Sequence, residues 1–266
     1  MIRLIASDMD GTLLDENAQV PSETFELIEA LAEKGVRFAT SSGRRLDTLV
    51  EFFEPVKDKI DFVASNGAQV LADGHMIDRE VFSHGAILRL FEVCESFDCL
   101  HLAIFDRTNT FLLDDDKFFV HNGDKDLPNP QRVYDPPAAE TSIIKASVFC
   151  SKTEHLLDLT SALIYELGDR LSFAPSGSSW IDVTPNGVSK ASGLKHLLRY
   201  RGIDEQDVMA FGDAMNDYEI LRFVGHPRVM GNGLYGVKQI VRNTIGSNVE
   251  HAVQKEMRKL LEELEG

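Results

Sequence analysis

Ile2-Arg3-Leu4-Ile5-Ala6-Ser7-Asp8-Met9-Asp10-Gly11-Thr12 is a strand-like apolar run that delivers two carboxylates into a Gly-Thr turn. The Asp-x-Asp spacing puts both carboxylates on one side of an extended chain. A strand ending this way forms an acidic tip at the carboxyl edge of a sheet, where open α/β sheets place their ligands. Two like charges this close disfavour each other's ionised forms unless a cation or hydrogen bonds compensate. Turn propensity alone also describes an inert acidic turn, and the rest of the chain separates the two readings.

The chain has 266 residues, 43% hydrophobic and 26% charged, which suits a soluble globular protein of one large or two moderate domains. Its formal charge of -16 argues against general affinity for nucleic acid or anionic membranes, which needs Lys/Arg patches. A small anionic ligand is compatible with that charge where a local cation masks the acids. Cys94, Cys99 and Cys150 form no C-x-x-C and cannot all pair, as expected of a reducing compartment. Cys94 and Cys150 lie in apolar runs and read as packing residues. With no signal-like opening and no apolar run near ~20 residues, a cytoplasmic location is expected.

Pro21-Ser22 marks a helix start, and Phe25, Ile28, Leu31 and Ala32 recur at helical spacing until Gly35. Val36-Arg37-Phe38-Ala39-Thr40 reads as a second strand, ending in Ser41-Ser42-Gly43-Arg44 ahead of a helix over 46–53. Phe62-Val63-Ala64 is a third, ending in Ser65-Asn66-Gly67-Ala68. Strands that end in small polar residues and Gly, with helices between them, predict a parallel α/β sheet with its functional loops on one edge.

Residues 69–82, with Asp73-Gly74 at their middle, predict a β-hairpin. The rhythm then changes: a helix over 83–97, strands over 100–105 and 110–113, a proline-rich loop over 124–139, a strand over 143–150, a helix over 153–166, and strands over 171–174 and 179–183. This predicts a separate α+β unit inserted over 83–186. The alternation resumes with a helix over 190–200 and a strand over 208–211 ending in Gly212-Asp213-Ala214-Met215-Asn216-Asp217. A strand over 228–230, Gly231-Asn232-Gly233 and an amphipathic helix over 248–264 complete the chain. The acidic run Asp114-Asp115-Asp116 reads as a solvated loop. The fold class is α/β, with a Rossmann-like parallel-sheet core over 1–82 and 187–266 and an inserted α+β domain over 83–186.

Asp213 and Asp217 occupy a second strand-end turn, which a parallel sheet can bring beside Asp8 and Asp10. Four converging carboxylates would repel unless a hard divalent cation sat among them, and Mg²⁺ prefers oxygen ligands. Helix capping explains Asp217 but not acids at both strand ends. Ser42 with the Gly43 and Arg44 amides can hydrogen-bond a phosphate, and Lys190, at a helix start, supplies a compact positive charge for the same anion.

Asp8-Met9-Asp10-Gly11-Thr12, Ser42-Gly43-Arg44, Lys190 and Gly212-Asp213-Ala214-Met215-Asn216-Asp217 resemble, in order and spacing, the four motifs of the haloacid dehalogenase (HAD) superfamily. Ser65-Asn66-Gly67-Ala68, Met230-Gly231-Asn232 and the insert after the third strand resemble its Cof-type branch of sugar-phosphate phosphatases. The resemblance implies a Mg²⁺-dependent phosphatase with a mobile cap, acting on a small phosphorylated metabolite as a monomer or small homo-oligomer. It implies Asp8 as the nucleophile that forms an aspartyl-phosphate and Asp10 as the acid/base. Asp8, the Asp10 carbonyl and Asp213 would hold Mg²⁺, with Asp217 supporting its water shell. Ser42 and Lys190 would bind the phosphoryl group, Asn216 would contact it or orient Lys190, and Gly43, Arg44 and Asn66 would serve substrate or loop geometry.

Arg45 and Ala191 depart from the family pattern, as does Asn248-Val249-Glu250-His251, and Arg45 is expected to add charge near the site mouth. The cap would exclude water and present specificity groups, with Trp180, Asp182, His101, Asp106 and His121 as candidates. Two other readings stay open: a phosphomutase or phosphotransferase of the same superfamily, and a catalytically idle regulatory or binding protein. The absence of H-x-H and H-E-x-x-H argues against a zinc hydrolase.

Overall fold

The first strand, β1 (Leu4–Ser7), is buried at every residue. An apolar run without polar alternation requires this, because both of its faces must be covered. The computed structural model describes every residue except 114–126, 128, 177, 240 and 242. The Asp114-Asp115-Asp116 run, His121 and the start of the proline-rich stretch therefore lie outside the described residues. The chain divides into two units, Met1–Arg79 with Ser189–Gly266, and Glu80–Val188.

In the first unit, β1 lies between β2 (Arg37–Ser41) and β12 (Val208–Gly212). With β3 (Ile60–Ala64), β4 (Gln69–Ala72), β5 (His75–Arg79) and β13 (His226–Val229), the order is β13-β12-β1-β2-β3-β4-β5. The sheet is parallel from β13 to β3. One edge is the hairpin expected over 69–82, with β4 antiparallel to β3 and to β5. Their two-residue turn, Asp73 (φ 50°) and Gly74 (φ 74°), suits a twisted hairpin and is too short for a parallel crossover.

Alternate strand residues feed two cores. Ile5, Phe38, Phe62, Met209 and Phe211 pack with α1 (Glu23–Glu33), α2 (Leu46–Phe52) and the C-terminal helix α8 (Ala252–Glu265). Leu4, Ala6, Ala39, Val63, Val208 and Ala210 pack with α5 (Lys190–Arg201) and α6 (Tyr218–Phe223). Ser7 pairs with both Thr40 and Phe211, so the strand ends are level. The residues that follow them, Asp8, Ser42 and Asp213, emerge at one edge. The C-terminal segment is helix α7 (Tyr235–Lys238), a short turn over Asn248–Glu250, left-handed His251 (φ 55°), then α8.

The second unit has a six-stranded sheet, with β6 (Leu100–Phe105), β7 (Thr110–Leu113), β8 (Pro130–Val133), β9 (Lys145–Cys150), β10 (Leu171–Ser176) and β11 (Trp180–Pro185) in the order β10-β11-β9-β6-β7-β8. Helices α3 (His84–Glu95) and α4 (Leu156–Leu167) cover one face, against Leu100, Leu102, Ile104, Val148, Ile181 and Val183. Ser83 caps α3 by accepting a hydrogen bond from the Ala86 amide at 3.3 Å. Strand β8 lies inside the stretch expected as loop. It is an edge strand whose first residue is Pro130, where a missing N–H breaks no ladder bond. Cys94 and Cys150 are fully buried in this core, and burial pushes the Cys94 thiol up to about 12. Among the described residues no helix is long and apolar enough to cross a membrane.

One ion-pair network ties the first unit together below the strand ends. Asp61, completely buried, accepts from Arg37 Nε and Nη2 at 3.1 Å each and from Arg201 Nε and Nη2 at 3.0 and 2.5 Å. Arg201 also reaches Asp73 at 2.7 Å. Removing one partner of a buried pair strands the other charge. Arg201→Met is therefore expected to lower stability by about 3 kcal/mol in denaturant unfolding. A loss within error would show that Arg37 alone satisfies Asp61.

Candidate active site

The turn after β1 runs over Met9–Leu13, with Gly11 at φ 73°. A Cβ at Gly11 would stand 2.6 Å from Asp213 Oδ2, so the left-handed backbone and the close carboxylate both require glycine. Thr12 Oγ1 donates to Asp213 Oδ1 at 2.9 Å, joining the β1 turn to the β12 turn. Asp217 is 1% exposed, and its Oδ2 accepts from the Asp213 and Ala214 amides at 3.0 and 3.1 Å. Those bonds close the turn it belongs to, in addition to its place at a helix start.

Lys190 is the first residue of α5. Ser189 caps that helix in a reciprocal pair with Ser192: Ser189 Oγ accepts from the Ser192 amide at 3.3 Å, and Ser192 Oγ accepts from the Ser189 amide at 2.9 Å. Gly67 (φ 93°) packs so tightly on this cap that a Cβ would collide with the Ser189 carbonyl. The Lys190 side chain is 1% exposed, and its Nζ donates to Asp8 Oδ1 at 2.7 Å and to Asp217 Oδ1 at 2.6 Å.

Oxygens of Asp8, Asp213 and Asp217 all lie within 4.8 Å of one another. Burial works against the charge of Lys190, but Asp217 and Asp8 outweigh it and raise Lys190 above its ordinary range. Burial first, then Asp217 and Asp213, pushes Asp8 well above the usual carboxylate range, against Lys190. Burial, then Asp217, raises Asp213 to about 6, against the Thr12 hydrogen bond and Lys190. Three carboxylates share one ammonium, so negative charge is in surplus. An all-oxygen donor set of this kind fits a hard divalent cation such as Mg²⁺.

The other expected site residues divide. Ser42 is buried, its Oγ accepting from the Arg44 amide at 3.1 Å and its carbonyl from the Asn66 amide at 2.9 Å. Half-buried Gly43 lies between them in the same turn. Asn66 is held in a left-handed conformation (φ 52°), and its Oδ1 accepts from Asn216 Nδ2 at 3.3 Å. Asn216 Oδ1 is buried with no hydrogen-bond partner among the described residues. The Asp10 side chain stands apart from the carboxylate cluster. It is 59% exposed, and Arg44 grips both of its oxygens, Nη2 to Oδ1 at 2.6 Å and Nε to Oδ2 at 2.7 Å.

Arg45, expected to add charge near the mouth, is instead 8% exposed and forks onto Asp47 of its own helix at 2.7 and 3.0 Å. Ala191 packs in the core beneath α5. Sequence reasoning gave no role to Thr12 or to Asn232, whose Nδ2 donates to the Gly11 carbonyl at 2.7 Å. The signal for Asn232 was its place in Gly231-Asn232-Gly233 after a strand. In the second unit, Trp180 meets Phe149 edge-on at 5.1 Å and Asp182 Oδ1 accepts from Ser147 Oγ at 3.4 Å, on strand positions that alternate with buried Ile181. His101 lies 6.1 Å from Phe149, and Asp106 accepts from the Thr108 and Asn109 amides of its own turn at 2.7 and 2.6 Å.

A doubly covered parallel sheet with acids and a buried lysine at its strand ends is an α/β enzyme core, and comparison with known proteins narrows the class. A family model of haloacid dehalogenase-like hydrolases matches residues 5–257. The chain is 28% identical to the Escherichia coli 5-amino-6-(5-phospho-D-ribitylamino)uracil phosphatase YbjI, over 98% of the chain and 96% of that protein. It is 27% identical to an HMP-PP phosphatase of Citrobacter koseri, over 88% of the chain and 86% of that protein. A crystal structure from Streptococcus mutans shares the fold, with a TM-score of 0.91 and 24% identity over 98% of this chain and 99% of that one. The chain belongs to the haloacid dehalogenase-like hydrolase family. Within that family it is a phosphoric monoester hydrolase.

The raised Asp213 carboxyl has a consequence for stability. Its folded form binds the proton more tightly than the unfolded form, so its contribution is full at low pH and is lost as pH rises through about 6. In chelator at pH 7, Asp213→Asn is therefore expected to melt above the wild type, the gap closing below about pH 4. Equal melting temperatures at both pH values would show that Asp213 ionises there without cost.

Proposed function

We propose that this phosphatase is Mg²⁺-dependent, hydrolyses a small phosphorylated metabolite, and works through an aspartyl-phosphate on Asp8. The observation that carries this reading is the buried Lys190 ammonium bonded to Asp8 and Asp217 beside a third carboxylate. Asp8, Asp213 and the Asp10 carbonyl would hold Mg²⁺, with Asp217 supporting its water shell, and the metal when bound would offset the charge of the phosphoryl oxygens.

In the first half of the reaction, an Asp8 carboxylate oxygen attacks phosphorus while the bond to the leaving oxygen breaks. Asp10 gives that oxygen its proton. In the second half, Asp10 takes a proton from water whose oxygen attacks phosphorus. The bond to Asp8 then breaks, and inorganic phosphate leaves. Lys190 balances the phosphoryl charge, and Ser42 Oγ with the Gly43 and Arg44 amides binds its oxygens. Asn66 holds Asn216 at the edge of this site. The unit Glu80–Val188 serves as the cap that selects the leaving group. One relative acts on a uracil bearing a phosphorylated ribitylamino chain and another on HMP-PP, which supports a small organic phosphate as substrate.

The test is release of inorganic phosphate from a panel of sugar, nucleotide and cofactor phosphates with and without Mg²⁺. Hydrolysis is expected only with the metal, and Asp8→Asn is expected to lower it about 10³-fold or more. Near-normal turnover by that variant would remove the nucleophile. Phosphate recovered on an alcohol acceptor in place of water would make the enzyme a phosphotransferase.

A further inference from the structure

The two acids of the opening turn are held in opposite ways. Asp8 is buried against Lys190, whereas Asp10 faces solvent with both oxygens on one guanidinium, at 2.6 and 2.7 Å. An exposed ion pair ordinarily contributes little, because two flexible side chains must be ordered to make it. Here Arg44 is ordered by other contacts. Its amide donates to Ser42 Oγ at 3.1 Å, its carbonyl accepts from the Ser65 amide at 2.8 Å, and its guanidinium lies 5.1 Å from the Phe52 ring centroid. The residue thus links the turns after β2 and β3 through its backbone, and its side chain reaches the turn after β1. A two-pronged fork sets the plane of a carboxylate as well as its position, which a single ammonium cannot do.

We propose that the Arg44 guanidinium is a positioning group for Asp10, aiming its carboxyl for both proton transfers, and that the guanidinium does not itself bind the transferred phosphoryl group. This rests on the reading of Asp10 as the acid/base. The two half-reactions depend on Asp10 differently. A leaving alcohol needs a proton from Asp10, whereas a nitrophenolate leaves without one. The attacking water must lose its proton to Asp10 whatever the substrate was. Misaiming Asp10 therefore slows hydrolysis of the aspartyl-phosphate for every substrate, but slows its formation only for alcohol leaving groups.

The experiment compares wild type, Arg44→Gln, Arg44→Lys, Asp10→Asn and the double variant Arg44→Gln/Asp10→Asn, all with Mg²⁺. Substrates are p-nitrophenyl phosphate and an alkyl phosphate, and melting temperatures confirm folding. Arg44→Gln is expected to lower kcat on both substrates about 10²-fold. With p-nitrophenyl phosphate KM is expected to fall in step, because kcat/KM reports formation of the aspartyl-phosphate, which is not slowed with that leaving group. On that substrate the variant is expected to release a burst of about one nitrophenolate per site. Arg44→Lys keeps the charge without the planar fork and is expected to recover only a small part of kcat. The double variant should be no slower than Asp10→Asn. A rise in KM at unchanged kcat, or losses that multiply in the double variant, would overturn the proposal by making Arg44 a substrate ligand. Should Arg44→Gln fail to fold, Arg44→Lys decides, because full activity there excludes a need for the fork. Full activity of Asp10→Asn is a different failure, one that removes the acid/base reading itself.

Discussion

A single buried ammonium organises this molecule. Lys190 Nζ lies between Asp8 and Asp217, with Asp213 within 4.8 Å of both acids. Carboxylates packed this closely with little water would otherwise protonate or push the turns apart. Lys190 offsets part of that charge, and burial first, then the neighbouring acids, displaces Asp8 and Asp213 upward. In the proposed reaction the surplus negative charge is the attraction for a divalent cation, and through it for a phosphoryl dianion. Strain from like charges at a site of this type is part of what prepares it to bind.

The fold exists around that contact in a geometric sense. Asp8 and Lys190 are 182 residues apart, and they meet because β1 is central in the sheet while α5 begins at the edge where β1 ends. Level registry from Ser7 to Thr40 and Phe211 brings out three turns together. Cross-links from Thr12 to Asp213, from Asn232 to the Gly11 carbonyl and from Asn66 to Asn216 then hold turns that have no ladder bonds of their own. A unit of more than a hundred residues can hang between β5 and α5 because the sheet already fixes where both ends of the insertion return.

Asp8 and Asp10 show how far environment separates identical side chains. They are two residues apart where β1 gives way to its turn, yet one carboxyl is buried and the other is exposed. The buried one faces an ammonium and two further acids. The exposed one is forked by a guanidinium fixed at its own backbone and ring. Different roles in one reaction call for different surroundings of this kind.

The strand-and-helix alternation, the strand-end motifs and the identity of every acid in the cluster were legible in the sequence. These follow from local rules: apolar runs, Gly-containing turns and the chemistry that a carboxylate, a lysine or a hydroxyl carries wherever it sits. The antiparallel edge was legible too, in Asp73-Gly74, whereas tertiary structure decided β8, whose proline is tolerated only because the strand is at an edge. It also decided that Arg45 folds back on Asp47, that Arg44 grips Asp10, and that Thr12 and Asn232 tie the turns. Each of these is a choice among equally available polar partners, and only the positions of distant chain segments make that choice. The sequence by itself determined which groups could react, because side-chain chemistry is local. Which of them are buried together, and which acid meets which cation, depended on burial and distance, properties that arise only once the sheet has closed its register.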